Sequence, residues 1–211
     1  EIVTYIADMR QIEGAITKNT KCMMIPSLLG NVPDLKFLRD AADKNGLYFI
    51  EDSCDTIGAK FDGRPTGAYS DISTTSFYGS HIITAGGGGG MICVNDGNWM
   101  KRCRMLSSWG RTSAIDETED IKKRFSVEID GFRYDSKFLF EEIGYNFMHL
   151  EIGSAFGFEQ LQKLPAFMKA RQQNFSQLKE FFDDYGEFFV LPKKSENVET
   201  NWLAFPLTIK H

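Results

Sequence analysis

The sequence of 211 residues has no apolar stretch approaching the ~20 residues that a membrane-spanning helix requires, so no membrane helix is expected. No run of basic residues interrupts a net charge of −5, which argues against a nucleic-acid surface. The four cysteines, Cys22, Cys54, Cys93 and Cys103, lie far apart. That spacing suits neither a zinc ligand set nor a disulfide framework, and they are read as buried free thiols in a reducing compartment, the cytoplasm. No metal site is expected. The glycine run Gly86 to Gly90 lacks both the Gly-x-Gly-x-x-Gly spacing and a Gly-Lys-Ser/Thr ending, so it is read as a flexible turn between strands and not as a phosphate cradle. No internal repeat is visible. The chain starts at Glu1 without a secretory signal and stops within what reads as a strand, so a piece of a longer protein is expected.

What is present is ordinary for a globular protein: 42% hydrophobic and 25% charged residues, enough for one domain or one domain and part of another. Gln11 to Ile16 reads as a short helix. Lys21 to Ser27 is a nearly continuous apolar run, which predicts a strand covered on both faces. Pro33 opens a helix with Leu35, Leu38 and Ala42 on one face, ended by Asn45-Gly46, and Leu47 to Ile50 is the next strand. This alternation predicts an α/β fold with a mainly parallel sheet. Phe61 to Gly67 is turn chemistry, Ile72 to Tyr78 and Met91 to Asn95 are strands, and Asn98 to Leu106 is a helix. Thr112 to Asp135 shows no clear period and is read as a loop or insertion. From His149 the pattern is helical, with a break at Pro165 and a second helix beyond it. Phe188 to Leu191 and Trp202 to Ile209 read as strands of a following domain.

Chemistry gathers at strand ends. Ser76-Phe77-Tyr78-Gly79-Ser80-His81 follows one strand and Glu51-Asp52-Ser53-Cys54-Asp55 closes another, and open α/β sheets bind ligands beyond their strand C-termini. Ionised carboxylates after an apolar strand are costly unless paired, which favours a functional partner for Asp52. Asp55 reads equally as a helix N-cap or a site residue. His81 alone would be a structural histidine; beside Ser76 and the acids it is a candidate proton carrier. Trp109 and Arg111 either close a helix end or contact substrate.

Ile25 to Gly30, Ile50-Glu51-Asp52, Gly63-Arg64 with Gly67, Ser76-Phe77, Gly89-Gly90 and Gly144-Tyr145-Asn146 together resemble the sugar aminotransferases of the DegT/DnrJ/EryC1 family, fold type I pyridoxal-phosphate enzymes. The resemblance implies a three-layer α/β/α architecture. Residues 1–147 would be part of the large cofactor-binding domain, 148–185 connecting helices, and 186–211 the start of a small C-terminal α+β domain. In those aminotransferases the fifth position after the serine of Ser-Phe is a lysine that holds the cofactor covalently; here it is His81. The same exchange marks a subgroup that uses pyridoxamine phosphate to remove the C3 hydroxyl of nucleotide-linked 4-keto-6-deoxyhexoses, with glutamate as the expected amine donor. By resemblance, Asp52 pairs with the cofactor ring nitrogen, Ser76 binds its phosphate, Asp55 contacts the ring-hydroxyl side, and His81 moves the proton. Asn146 matches a position that reaches the phosphate from the partner subunit, implying a homodimer with shared sites. Two alternatives stay open: an iron–sulfur form dependent on a reductase, whose members carry a cysteine cluster after Trp-Gly-Arg that Thr112-Ser113-Ala114 lacks, and a non-catalytic relative that binds or regulates.

Overall fold

A computed structural model describes residues 1–116 and 118–210. Helix α1 (Met9–Ala15) precedes strand β1 (Cys22–Pro26), and helix α2 (Leu35–Asn45) follows it. Asp34 accepts the Phe37 amide at the start of α2, and Gly46, in the left-handed conformation, ends it. Strand β2 (Tyr48–Asp52) then runs parallel to β1, with Met24 opposite Ile50 and Pro26 opposite Asp52. A hairpin of β3 (Lys60–Phe61) and β4 (Arg64–Pro65) occupies the predicted turn region. Strand β5 (Ile72–Ser76) is parallel to β2, and β6 (Gly90–Val94) completes a sheet of order β1-β2-β5-β6. The mainly parallel α/β expectation holds.

The core lies on one face of that sheet, where Leu35, Leu38 and Ala42 of α2 meet Met23, Phe49 and Phe61. Phe49 is fully buried, and burying such a side chain stabilises the fold by about 1.5–3 kcal/mol. Asp71 ties the start of β5 to this core by accepting the Phe49 amide at 2.7 Å and the Arg39 guanidinium at 3.0 Å. Burial alone would raise the Asp71 carboxyl, but those two donors hold it below its ordinary value.

Several expectations need correction. The first strand is not covered on both faces: Met23 is buried, whereas Met24 is 58% exposed and Tyr48, beside it on β2, 54%. Only the face packed by α2 is closed, so burial alternates along the strand. The cysteines form no disulfide, yet none is buried; Cys22 and Cys93 are exposed and Cys54 and Cys103 half-buried. Cys22 shares its strand face with Met24, the open side. Pro165 does not break the terminal helix, which is one segment of 33 residues, α5 (Glu151–Asp183). A proline forfeits a backbone bond there. Its neighbours Leu164 and Met168 pack over Gly58, where a Cβ would lie 2.7 Å from the Met168 sulfur.

Among the described residues the chain divides into two compact units, residues 1–93 with 151–211, and residues 94–150. The second unit holds helix α3 (Gly97–Ser107), the short helix α4 (Ile121–Arg124), and a hairpin of β7 (Val127–Ile129) and β8 (Phe132–Tyr134). That hairpin falls in the stretch expected to be loop. Its signal was Asp130-Gly131, both at positive φ, the pair that a tight two-residue turn requires. In the first unit β9 (Phe189–Val190) pairs with β11 (Thr208–Ile209), while β10 (Val198–Glu199) pairs with β3. The strand expected over Trp202 to Ile209 is therefore confined to its end, since the buried Trp202 sits at positive φ and stacks on Phe175 at 4.2 Å. His211 lies outside the described residues. Among the described residues no helix is long and apolar enough to cross a membrane.

Candidate active site

Successive residues of a strand face opposite sides of the sheet, so Glu51 and Asp52 cannot do the same work. Glu51 points into the protein and is fully buried, accepting the Ser53 hydroxyl and the Gly67 amide, each at 2.7 Å. Burial pushes its carboxyl above the ordinary 4.5, against the pull of those two donors. Asp52 faces the other side at the C-terminal end of β2, opposite Thr74 of β5. Its Oδ1 accepts the Cys54 amide at 3.2 Å and the Thr74 hydroxyl at 3.5 Å. Two residues beyond Thr74, on the same face of β5, Ser76 accepts the Tyr78 amide at 3.2 Å on its hydroxyl.

The chain then turns, with the His81 amide bonded to the Tyr78 carbonyl at 3.0 Å, and is anchored by the buried Ile82 and Ile83. His81 Nε2 lies 3.4 Å from Asp55 Oδ1, both side chains largely buried. Asp55 Oδ2 accepts the Leu29 amide at 2.8 Å, which fixes the carboxylate from the far side. Nδ1 of His81 is closed to solvent and without a partner among the described residues. The first unit thus brings Asp52 and Ser76 to adjacent strand ends and pairs Asp55 with His81.

The other three predicted residues belong to the second unit. Arg111 lies over the Trp109 ring at 4.5 Å and donates to the Ser108 hydroxyl at 3.1 Å. Asn146 bridges to Ser108, and its side-chain oxygen takes the Met148 amide at 3.4 Å. The two glycine-bearing motifs interlock here. A Cβ on Gly144 would stand 2.2 Å from the Gly110 nitrogen, and the Trp109 amide reaches the Tyr145 carbonyl at 2.8 Å. Only glycines let the backbones pass this closely.

Sequence reasoning missed Glu51, Cys54 and Thr74 as parts of the site. An acid inside an apolar strand was a visible signal for Glu51. Thr74 depends on the register between β2 and β5, which no local pattern reveals.

A parallel α/β sheet carrying acids, a hydroxyl and an imidazole at its strand ends defines a ligand-binding enzyme class of fold, with the ligand expected at that edge. All of residues 1–211 match the model of the DegT/DnrJ/EryC1/StrS aminotransferase family, and the chain belongs to that family. It is 36% identical over 216 residues to the Lipopolysaccharide biosynthesis protein RfbH of Salmonella typhimurium, covering 100% of this chain and 49% of that protein. It is 33% identical over 218 residues to the dTDP-4-dehydro-2,6-dideoxy-D-glucose 3-dehydratase of Saccharopolyspora spinosa, covering 99% and 46%. A solved structure of E. coli GDP-4-keto-6-deoxy-D-mannose-3-dehydratase with bound hydrated PLP is similar at a TM-score of 0.85 and 27% identity, covering 100% of this chain and 52% of that one. The chain spans about half the length of the curated relatives it matches.

Proposed function

We propose that the intact protein is a pyridoxal/pyridoxamine-phosphate-dependent dehydratase that removes the C3 hydroxyl of a nucleotide-linked 4-keto-6-deoxyhexose. The observation that carries this reading is the pairing of the His81 imidazole with Asp55, at the position that by resemblance is the cofactor-holding lysine of the family's aminotransferases. Relatives named as 3-dehydratases, one of them solved with PLP, support it.

The residues present fit the cofactor. Asp52 stands at the strand end with the Cys54 amide and the Thr74 hydroxyl on Oδ1, a carboxylate suited to pair with the ring nitrogen. Ser76 offers a hydroxyl at the neighbouring strand end for the phosphate. When bound, pyridoxamine phosphate supplies an amine for the sugar's C4 ketone and a ring that accepts electrons. Asp52 would pair its carboxylate with that ring's nitrogen and hold it in its protonated form. His81 would take a proton from the carbon that carries the amine and return it to the departing C3 oxygen. Asp55 steadies His81 on the side assigned to the ring hydroxyl. Asn146 would reach the phosphate of a partner subunit in a homodimer, and Trp109 and Arg111 are assigned to substrate binding. Glutamate restores the amine, with no reductase, since no cysteine occurs between Arg111 and Phe147. The enzyme is placed in the cytoplasm, where four cysteines that form no disulfide stay reduced.

Absorption spectroscopy of the intact protein with PLP, followed by glutamate, tests the reading. Conversion of the bound aldehyde to the amine form is expected; an unchanged spectrum would remove both the cofactor and the donor from the account.

A further inference from the structure

Asp52 Oδ1 takes two donors, the Cys54 amide and the Thr74 hydroxyl. Thr74 stands directly opposite Asp52 in the parallel register, and its carbonyl receives the Ser53 amide at 2.9 Å. The backbone ladder therefore sets the place of the Thr74 hydroxyl, 3.5 Å from Asp52 Oδ1, and of the Cys54 amide, 3.2 Å from the same atom. The Cys54 thiol joins the cluster. Burial, and then its hydrogen bond to Asp52 and the charge there, push the thiol up to about 11. It stays protonated and serves as a donor, not a nucleophile. The terminal torsion of an aspartate is broad, and a carboxylate without such donors turns readily.

We propose that Thr74 is a positioning residue: its hydroxyl, together with the Cys54 amide, fixes the rotation of the Asp52 carboxylate that would pair with the ring nitrogen of pyridoxal phosphate. This rests on the reading of Asp52 as the ring's partner. The hydroxyl acts through Asp52 and touches no reacting atom. Period and composition do not point to it; the sheet register does.

The test is a titration of the intact protein with pyridoxal phosphate, read by cofactor absorbance, for a set of variants confirmed as folded by circular dichroism. Thr74→Val is expected to weaken binding by about two- to tenfold, the range for one neutral hydrogen bond, and Thr74→Ser to restore it. Thr74→Ala, which also lacks the hydroxyl, gives the same reading if the valine variant does not fold. In an Asp52→Asn background, Thr74→Val should make no further difference, because the two act as one unit. A purely structural role would lower affinity equally in both backgrounds, and that result overturns the proposal. So does wild-type affinity in the valine and alanine variants while Asp52→Asn binds poorly, which leaves Asp52 as ring partner and removes Thr74 alone. Wild-type affinity in Asp52→Asn itself overturns the ring-partner reading and the proposal with it.

Discussion

Replacing Glu51 asks whether the strand that presents Asp52 depends on a buried acid. Glu51→Ala leaves the Ser53 hydroxyl and the Gly67 amide without their acceptor. An unsatisfied buried donor costs about 1–3 kcal/mol, so the pair should cost about 2–6 kcal/mol, before any cavity term. Glu51→Gln can satisfy both, its carbonyl accepting the Gly67 amide and its NH2 donating to the Ser53 oxygen, and should cost less than about 1 kcal/mol. The pH dependence separates the two forms further. The folded-state carboxyl lies above its ordinary 4.5, so the folded protein binds the extra proton between those two values. Glu51 therefore favours the fold at pH below 4.5, and that contribution declines as pH rises through the folded value, then stays flat. Urea unfolding of wild type and Glu51→Gln across a pH series from acid to neutral reads this directly. The stability difference between them should shift toward the glutamine variant as pH rises. A difference that is flat, or that shifts toward wild type, would refute the buried-acid reasoning, and an alanine variant of unchanged midpoint would refute the hydrogen-bond reasoning.

In His81→Asn, dehydration by the intact enzyme should fall by about 10²–10⁴-fold, the usual range for a lost general base, while PLP affinity stays close to wild type. A near-normal rate would make His81 a structural residue. Gly144→Ala places a Cβ 2.2 Å from the backbone nitrogen of Gly110, which cannot move aside like a side-chain tip. Overpacking of this kind costs about 1–3 kcal/mol or more, so calorimetry should show a lower melting temperature, and an unchanged one would count against the interlocked loops. Light scattering of the active, cofactor-loaded protein should give at least a dimer mass; a monomer mass would remove Asn146 from the neighbour's site.

The parts of the fold legible in the sequence were those written in local chemistry. Gly46 closes α2 with the residue type that a helix end demands, and the apolar runs around Met23 and Phe49 mark two strands. Asp52 and Ser76 were visible because polar groups end apolar strands, and His81 because an imidazole follows one. What stayed hidden depends on contacts between distant segments. Helix α5 runs on through Pro165, and Met168 beyond it packs over Gly58, more than a hundred residues earlier in the chain. The apolar run of β1 reads the same whether one face or both are covered, so the exposure of Met24 and Cys22 could not be told from it. The alignment of Thr74 with Asp52 is a register, and a shift of one residue would turn it to the other face.

The central claim, that this member of an aminotransferase family removes an oxygen instead of adding a nitrogen, is tested most directly by the product. The intact protein, loaded with PLP and supplied with glutamate, is offered GDP- and dTDP-linked 4-keto-6-deoxyhexoses, and the sugar is followed by NMR. The account predicts loss of the C3 hydroxyl, with a methylene appearing at C3 and no amine retained at C4. A 4-amino sugar that keeps its C3 hydroxyl would contradict it, because that outcome is aminotransfer carried out despite the histidine at position 81.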